Sequence, residues 1–164
     1  MAKQNVTITL KMSELMYDIE NKTHLTARSR QTGDNYRDVA HMQVSDNENE
    51  TDQVLTSIGH AWSLLLSKLH EYVVDRESDG VNELPSVNDD LSVVLALPMN
   101  FNLTAVETLT RALHGYVVHK SIADWLEMTD KADAADHLQQ ALTMMQQVFE
   151  SINRRKRPVR EDLL

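Results

Sequence analysis

The chain has 164 residues, 41% hydrophobic and 25% charged, with four Gly, three Pro and no Cys. That length fits one domain able to bury roughly two thirds of its unfolded surface without a metal or disulfide. The missing cysteines exclude a disulfide framework, thiol chemistry and Cys-ligated zinc. The net charge of −9 hides an asymmetry, because residues 1–153 carry 11 Lys and Arg against 23 Asp and Glu. The last eleven residues instead carry Arg154, Arg155, Lys156, Arg157 and Arg160 against Glu161 and Asp162.

The opening MAKQNVTITL has too few apolar residues for a signal peptide, and no stretch approaches the roughly 20 apolar residues of a membrane span. The expectation is a protein made and kept in a reducing cytoplasm, or delivered inside something assembled there. Val6, Ile8 and Leu10 alternate with Thr7, Thr9 and Lys11, which predicts a strand with one wet face. Ser13 is then read as the cap of a helix running to about Arg30, with Leu15, Met16, Ile19 and Leu25 on its apolar side.

Residues 31–51, rich in Gly, Asp, Asn and Glu, read as a long polar connection with a short turn around Val39–Val44. Connections this long are usually functional or ordered by a partner. Val54, Leu55, Ile58, Ala61, Trp62, Leu65, Leu66, Leu69 and Val73 then keep helical spacing, predicting a central core helix from about Asp52 to Asp75. A second acidic connection, Arg76 to Asp90, leads to LSVVLAL (91–97), which ends at Pro98 and reads as a buried strand.

Leu103, Val106, Leu109, Leu113, Val117, Ile122, Trp125 and Leu126 mark a helix from about Thr104 to Met128. Another helix starts at Thr129 or Asp130, with Ala134, Ala135, Leu138, Ala141, Leu142, Met145, Val148, Phe149 and Ile152 on one face. The predicted fold is mainly α: a four-helix core with a minor two-strand β-element, in the order strand, helix, helix, strand, helix, helix. Residues 1–153 form the single helical domain in this reading, and 154–164 a basic C-terminal arm.

Tests for chemistry mostly fail. Asp46 to Asp52 has oxygen ligands at alternate positions like a calcium loop, but Thr51 replaces the required Gly and Ser57 the required Glu. That run is read as a solvated acidic loop. His70-Glu71 begins like the zinc-protease HExxH, yet Val74 stands where the second His belongs. His114 and His119 lie five apart on a helix, roughly 140° off one face, and His60 reads as a half-buried helix residue. No phosphate loop, GxSxG or recognisable carboxylate pair occurs, so no catalytic residue, cofactor or metal ligand is assigned. The Asn-x-Thr sequons at Asn5, Asn21, Asn49 and Asn102 are read as chance matches. Trp62 and Trp125 sit on apolar stripes and read as core anchors, as does Met145.

The arm is the segment that ordinary helix chemistry leaves unexplained. Cations near a helix C-terminus offset its dipole, which accounts for one or two charges and not for five. Pro158 is expected to end the helix and send the following residues outward. The acidic body disfavours nucleic acid, and no aromatics interleave the arm. The complementary expectation pairs Arg154, Arg155, Lys156, Arg157 and Arg160 with Asp46, Glu48, Glu50 and Asp52 of another copy.

The segments NVTITLKMSELMYDIENKTHLTARSR (5–30), ALPMNFNLTAVETLTRAL (96–113), IADWLEMTDKADA (122–134) and NRRKRPVR (153–160) resemble a family of small structural proteins. That family belongs to tailed bacteriophages and prophage-like elements of gut bacteria, as head–tail connector, neck or tail components. The resemblance implies a non-enzymatic subunit that forms a homo-oligomeric ring in the virion. Its neighbours would be portal or tail proteins, with no membrane and no nucleic acid, and assembly would take place in the host cytoplasm. The alternative reading is a cytoplasmic adaptor or regulator that binds a partner or nucleic acid through the same arm. An enzyme acting through His60, His70 or His114 ranks last.

Overall fold

A computed structural model describes residues 2–77 and 79–159. Strand β1 (Lys3–Leu10) and strand β2 (Leu91–Pro98) pair with each other, antiparallel, from Lys3↔Pro98 to Leu10↔Leu91. Val6, Ile8 and Leu10 point into the core from β1, and Val93, Leu95 and Leu97 from β2. β2 is therefore buried on one face rather than two. Its other edge is partly covered, since Val74 N–H donates to Val94 C=O and Ala96 N–H to Tyr72 C=O, at 2.9 and 2.7 Å.

Helix α1 (Met12–Arg30) starts one residue before the predicted cap, so Ser13 lies inside it. Lys11 at the N-cap makes no side-chain capping bond, and the Asp90 carboxylate accepts from Met12 N–H at 3.0 Å instead. An acid at the end of the second polar connection thus caps a helix far away in sequence. The buried stripe is Met12, Leu15, Ile19, Thr23 and Ala27, while Leu25 faces out at 51% exposure.

The connection after α1 is more ordered than its composition suggests. Residues 33–35 form a 3₁₀ turn and Tyr36–Ala40 a short helix, α2. Val39, Met42 and Val44 enter the core, and the Met42 carbonyl accepts from Trp125 Nε1 at 2.9 Å. The buried Thr23 hydroxyl accepts from Val44 N–H at 3.2 Å. This segment is ordered by the chain's own core, and no partner is needed for that.

Helix α3 spans Glu48–Lys68, four residues earlier at its start and seven shorter at its end than expected. Asn47 caps it by accepting from Asn49 N–H, and Glu50 reaches back to Ser45 N–H at 2.6 Å. The predicted acidic loop is therefore largely the first turn of a helix, where carboxylates suit the dipole. Val73 keeps the apolar phase but lies beyond the helix, in a bridge to Leu95.

Helix α4 (Val106–Thr129) follows a 3₁₀ turn at 103–105, and one residue, Asp130, links it to α5 (Lys131–Ile152). Asp130 caps α5 by accepting from Ala132 N–H at 3.1 Å. α4, not α3, is the central helix: α5, α3, α1 and β1 all pack on it. Twelve of its residues, from Leu109 to Leu126, are buried around most of its circumference. Both Trp62 and Trp125 are buried, as expected of core anchors. The fold is mainly helical with a minor two-strand antiparallel sheet, and the described residues hold five α-helices counting the short α2.

Candidate interaction surface

α5 ends at Ile152, six residues before Pro158, so the proline does not terminate it. The chain then turns onto residues 100–102. Asn102 N–H donates to Arg154 C=O at 3.0 Å, and Lys156 N–H to Asn100 C=O at 2.8 Å. Phe101, fully buried, forms the bridge with Arg155 between those bonds. Arg155 Nη1 donates to Ile152 C=O at 2.7 Å, satisfying a carbonyl at the helix end. The root of the arm is thus anchored by the backbone, and its cations project from a fixed base. Arg154, Lys156 and Arg157 are exposed and form no side-chain bond or ion pair among the described residues. Arg160 lies outside the described residues.

The four acids expected to face these cations sit at the start of α3. Asp46, Glu48 and Asp52 are exposed, and Glu50 is half-buried over Ser45. Within one chain no ion pair joins them to the arm among the described residues.

Along α5 runs an apolar ridge. α5 buries Ala134, Ala141, Val148 and Ile152 against its neighbours, with the half-buried Met144 over Gly115. A Cβ at position 115 would meet Met144 Sδ at 2.9 Å, so Gly115 permits the close approach of the two helices. The rest of the predicted apolar face is not covered. Ala135, Leu138 and Leu142 are exposed, and Met145 and Phe149 are half-buried. α5 carries a wider apolar arc than one neighbouring helix can cover. Met128, at 58% exposure, extends the ridge past the α4–α5 turn.

The ridge borders a groove of about 820 Å³ between α3 and α5, above α4. Its lining is apolar at Met128, Ala134, Ala135 and Leu138 and polar at Gln53, Thr56, Ser57, His60, Asp124, Glu127 and Lys131. Asp124 is already paired with Lys120 at 2.9 Å, whereas Glu127 is exposed and has no partner among the described residues. His60 stands exposed in this lining rather than half-buried. A second groove of about 490 Å³ lies on the other side of His60, walled by residues 81–85. There Pro85 rests on Gly59, where a Cβ would come within 2.9 Å of the ring.

Sequence patterns missed a polar seam joining α1 to α4 and α5. His114 Nε2 meets Asp18 Oδ2 at 2.6 Å. His119 and His137 stack with ring centres 5.5 Å apart and share an Nδ1···Nδ1 contact of 3.2 Å, one ring donating and the other accepting. Arg30 holds Asp133 bidentately, with Nε at 3.1 Å. Burial, then His137 and Lys22, pushes His119 down to about 4, against the weaker pull of Asp18. Burial also lowers His137, opposed by Asp133 and Asp136. Both lowered values favour the neutral rings at pH 7, and the contact needs one Nδ1 protonated and the other bare. The only available signal was the spacing of Asp18, Lys22 and Arg30 at every fourth or eighth position of α1. Their partners lie across the fold.

The histidines named as enzyme candidates are not brought together. His114 bonds Asp18, His70 Nδ1 contacts the Ser67 carbonyl beyond α3, and His60 lines the groove. Among the described residues, no group of three or more His, Asp or Glu is arranged to hold a metal ion. No helix of the described residues is long and apolar enough to cross a membrane. No family model, curated protein or solved structure matches this chain.

Proposed function

We propose that this chain is a non-enzymatic structural subunit of a bacteriophage particle. It assembles through subunit–subunit contacts into a ring at the head–tail connector, neck or tail, beside portal or tail proteins. The observation that carries the reading is the anchored arm root. Arg154 and Lys156 are held by backbone pairing to residues 100–102, Arg157 follows directly, and none of these three cations has a counter-ion among the described residues. The exposed apolar residues of α5, Leu138 and Leu142, lie away from the arm along the same helix that leads into it. Charge without an internal partner, on a chain that also leaves apolar surface uncovered, is the composition of surfaces that recognise another protein. The resemblance of four segments to phage structural proteins supplies the setting.

Mass spectrometry of particles sedimented from an induced or infected culture tests this. Co-sedimentation at a ring-sized ratio, roughly a dozen copies per particle, is expected for a closed cyclic assembly. A chain that stays soluble while capsid proteins pellet overturns the virion reading. It would leave the cytoplasmic adaptor in its place.

A further inference from the structure

We infer that residues 154–159 of one copy dock in the groove between α3 and α5 of the next copy, head to tail. The inference rests on the self-assembly reading above and names its contact surfaces. The groove exists because α3 and α5 both pack on α4, with no helix laid between them. Its apolar lining residues Met128, Ala134 and Leu138 lie beside Glu127 and Lys131, neither of which has a partner among the described residues, so that a cation of the arm can take Glu127. Asp52, also exposed and unpartnered among them, sits one helical turn before the lining residue Thr56.

The arm supplies the complement. Arg154, Lys156 and Arg157 are the unpaired cations, and Val159 is an apolar residue at 89% exposure. Lys156 is the last residue held on the arm's own chain, so Arg157, Pro158 and Val159 extend about 10 Å beyond it, enough to enter a cleft between two helices. Because Asn102 and Asn100 fix the arm's first residues, little conformational entropy is left to lose there on docking.

The two surfaces lie at opposite ends of α5. Leu138 in the groove and Ile152 before the arm are separated by 14 positions, about 21 Å of helix. Contact between unlike patches of identical chains is heterologous, so it passes from copy to copy and closes when the rotation allows. Asp46, ahead of α3, and Glu48, at its first position, stand farther from the groove and are not needed for this contact. The acceptor is the groove.

The absence of natural cysteines makes the test clean. A Glu127→Cys chain mixed with a Val159→Cys chain is expected to give a disulfide-linked pair on mild oxidation. A chain carrying both substitutions should give a ladder of linked copies. In parallel, light scattering follows assembly of the full chain at high micromolar concentration. Arg154→Glu/Lys156→Glu/Arg157→Glu and Asp52→Lys/Glu127→Lys should each lose assembly alone and regain it when mixed. All of these positions are exposed, and unchanged thermal unfolding confirms that each variant folds. A wild-type chain that remains monomeric overturns the docking inference, as does a double-cysteine chain that only closes on itself. Assembly that survives arm reversal, with no cross-link, overturns the docking too, yet leaves self-assembly through another face intact.

Discussion

The two polar connections look alike in composition and behave differently in the fold. Residues 31–47 place Val39, Met42 and Val44 in the core and receive a hydrogen bond from Trp125. Among the described residues 75–90, none is buried, and Val81, Leu84 and Val87 are exposed. The second segment is held at points: Pro85 on Gly59, Asp90 on the start of α1, and Arg76 Nη1 on the Ser92 carbonyl at 3.3 Å. A polar loop is therefore held to the extent that it sends apolar side chains into the core. Its polar fraction says little.

The largest expected effect comes from removing the first segment's anchor. Met42→Ala, at a site with 1% exposure, should cost about 2–5 kcal/mol in chemical denaturation, whereas Leu84→Ala should stay within about 0.5 kcal/mol. Equal costs at the two sites would erase the contrast. Acid should narrow it next. His119 is depressed from 6.5 to about 4, so its contribution is complete above pH 6.5 and is lost as pH falls toward 4. The loss reaches up to about 3 kcal/mol. Hydrogen exchange in α1 and residues 31–47 should rise over that window, and His119→Phe should flatten the acid limb. A limb unchanged by the substitution would remove His119 as its source. The smallest effect sharpens the comparison from the other side. Asp90→Ala, which deprives Met12 N–H of its acceptor, should cost about 0.5–2 kcal/mol, with faster exchange in the first turn of α1. Unaltered exchange there would mean that the cap is dispensable.

Much of the fold was legible because outer helices and half-buried strands advertise themselves. Val6, Ile8 and Leu10 alternate, and α3 shows one clean stripe from Val54 to Leu65. That clarity also misled. A strong stripe marks a helix buried on one side, whereas α4, covered on several sides, has apolar residues around most of its surface and a blurred period. Apolar phase likewise ran past the true end of α3 to Val73, since a strand segment buried in the same core keeps compatible spacing. Leu103, Leu138 and Leu142 were placed on apolar helical stripes and are exposed, because a stripe does not state whether anything covers it. Of the candidate site, the cations of the arm were visible as composition. Their anchoring on residues 100–102 was not, being a backbone pairing that depends on burial of Phe101. The groove was invisible for a related reason: three helices make it, and no single segment carries its pattern.

The sheet imposes an order on synthesis. Leu10 pairs with Leu91 and Lys3 with Pro98, so β1 has no strand partner until some eighty further residues have been made. At about 5–20 residues per second, that is a wait of roughly 4–16 s. During that time Val6, Ile8 and Leu10 face water on an unpaired edge, the state in which strands are most prone to wrong pairing. The interspersed Lys3, Thr7, Thr9 and Lys11 then act as the nascent chain's protection against neighbours on the same message. Lys3 at the head of β1 is the residue whose partner, Pro98, is made last.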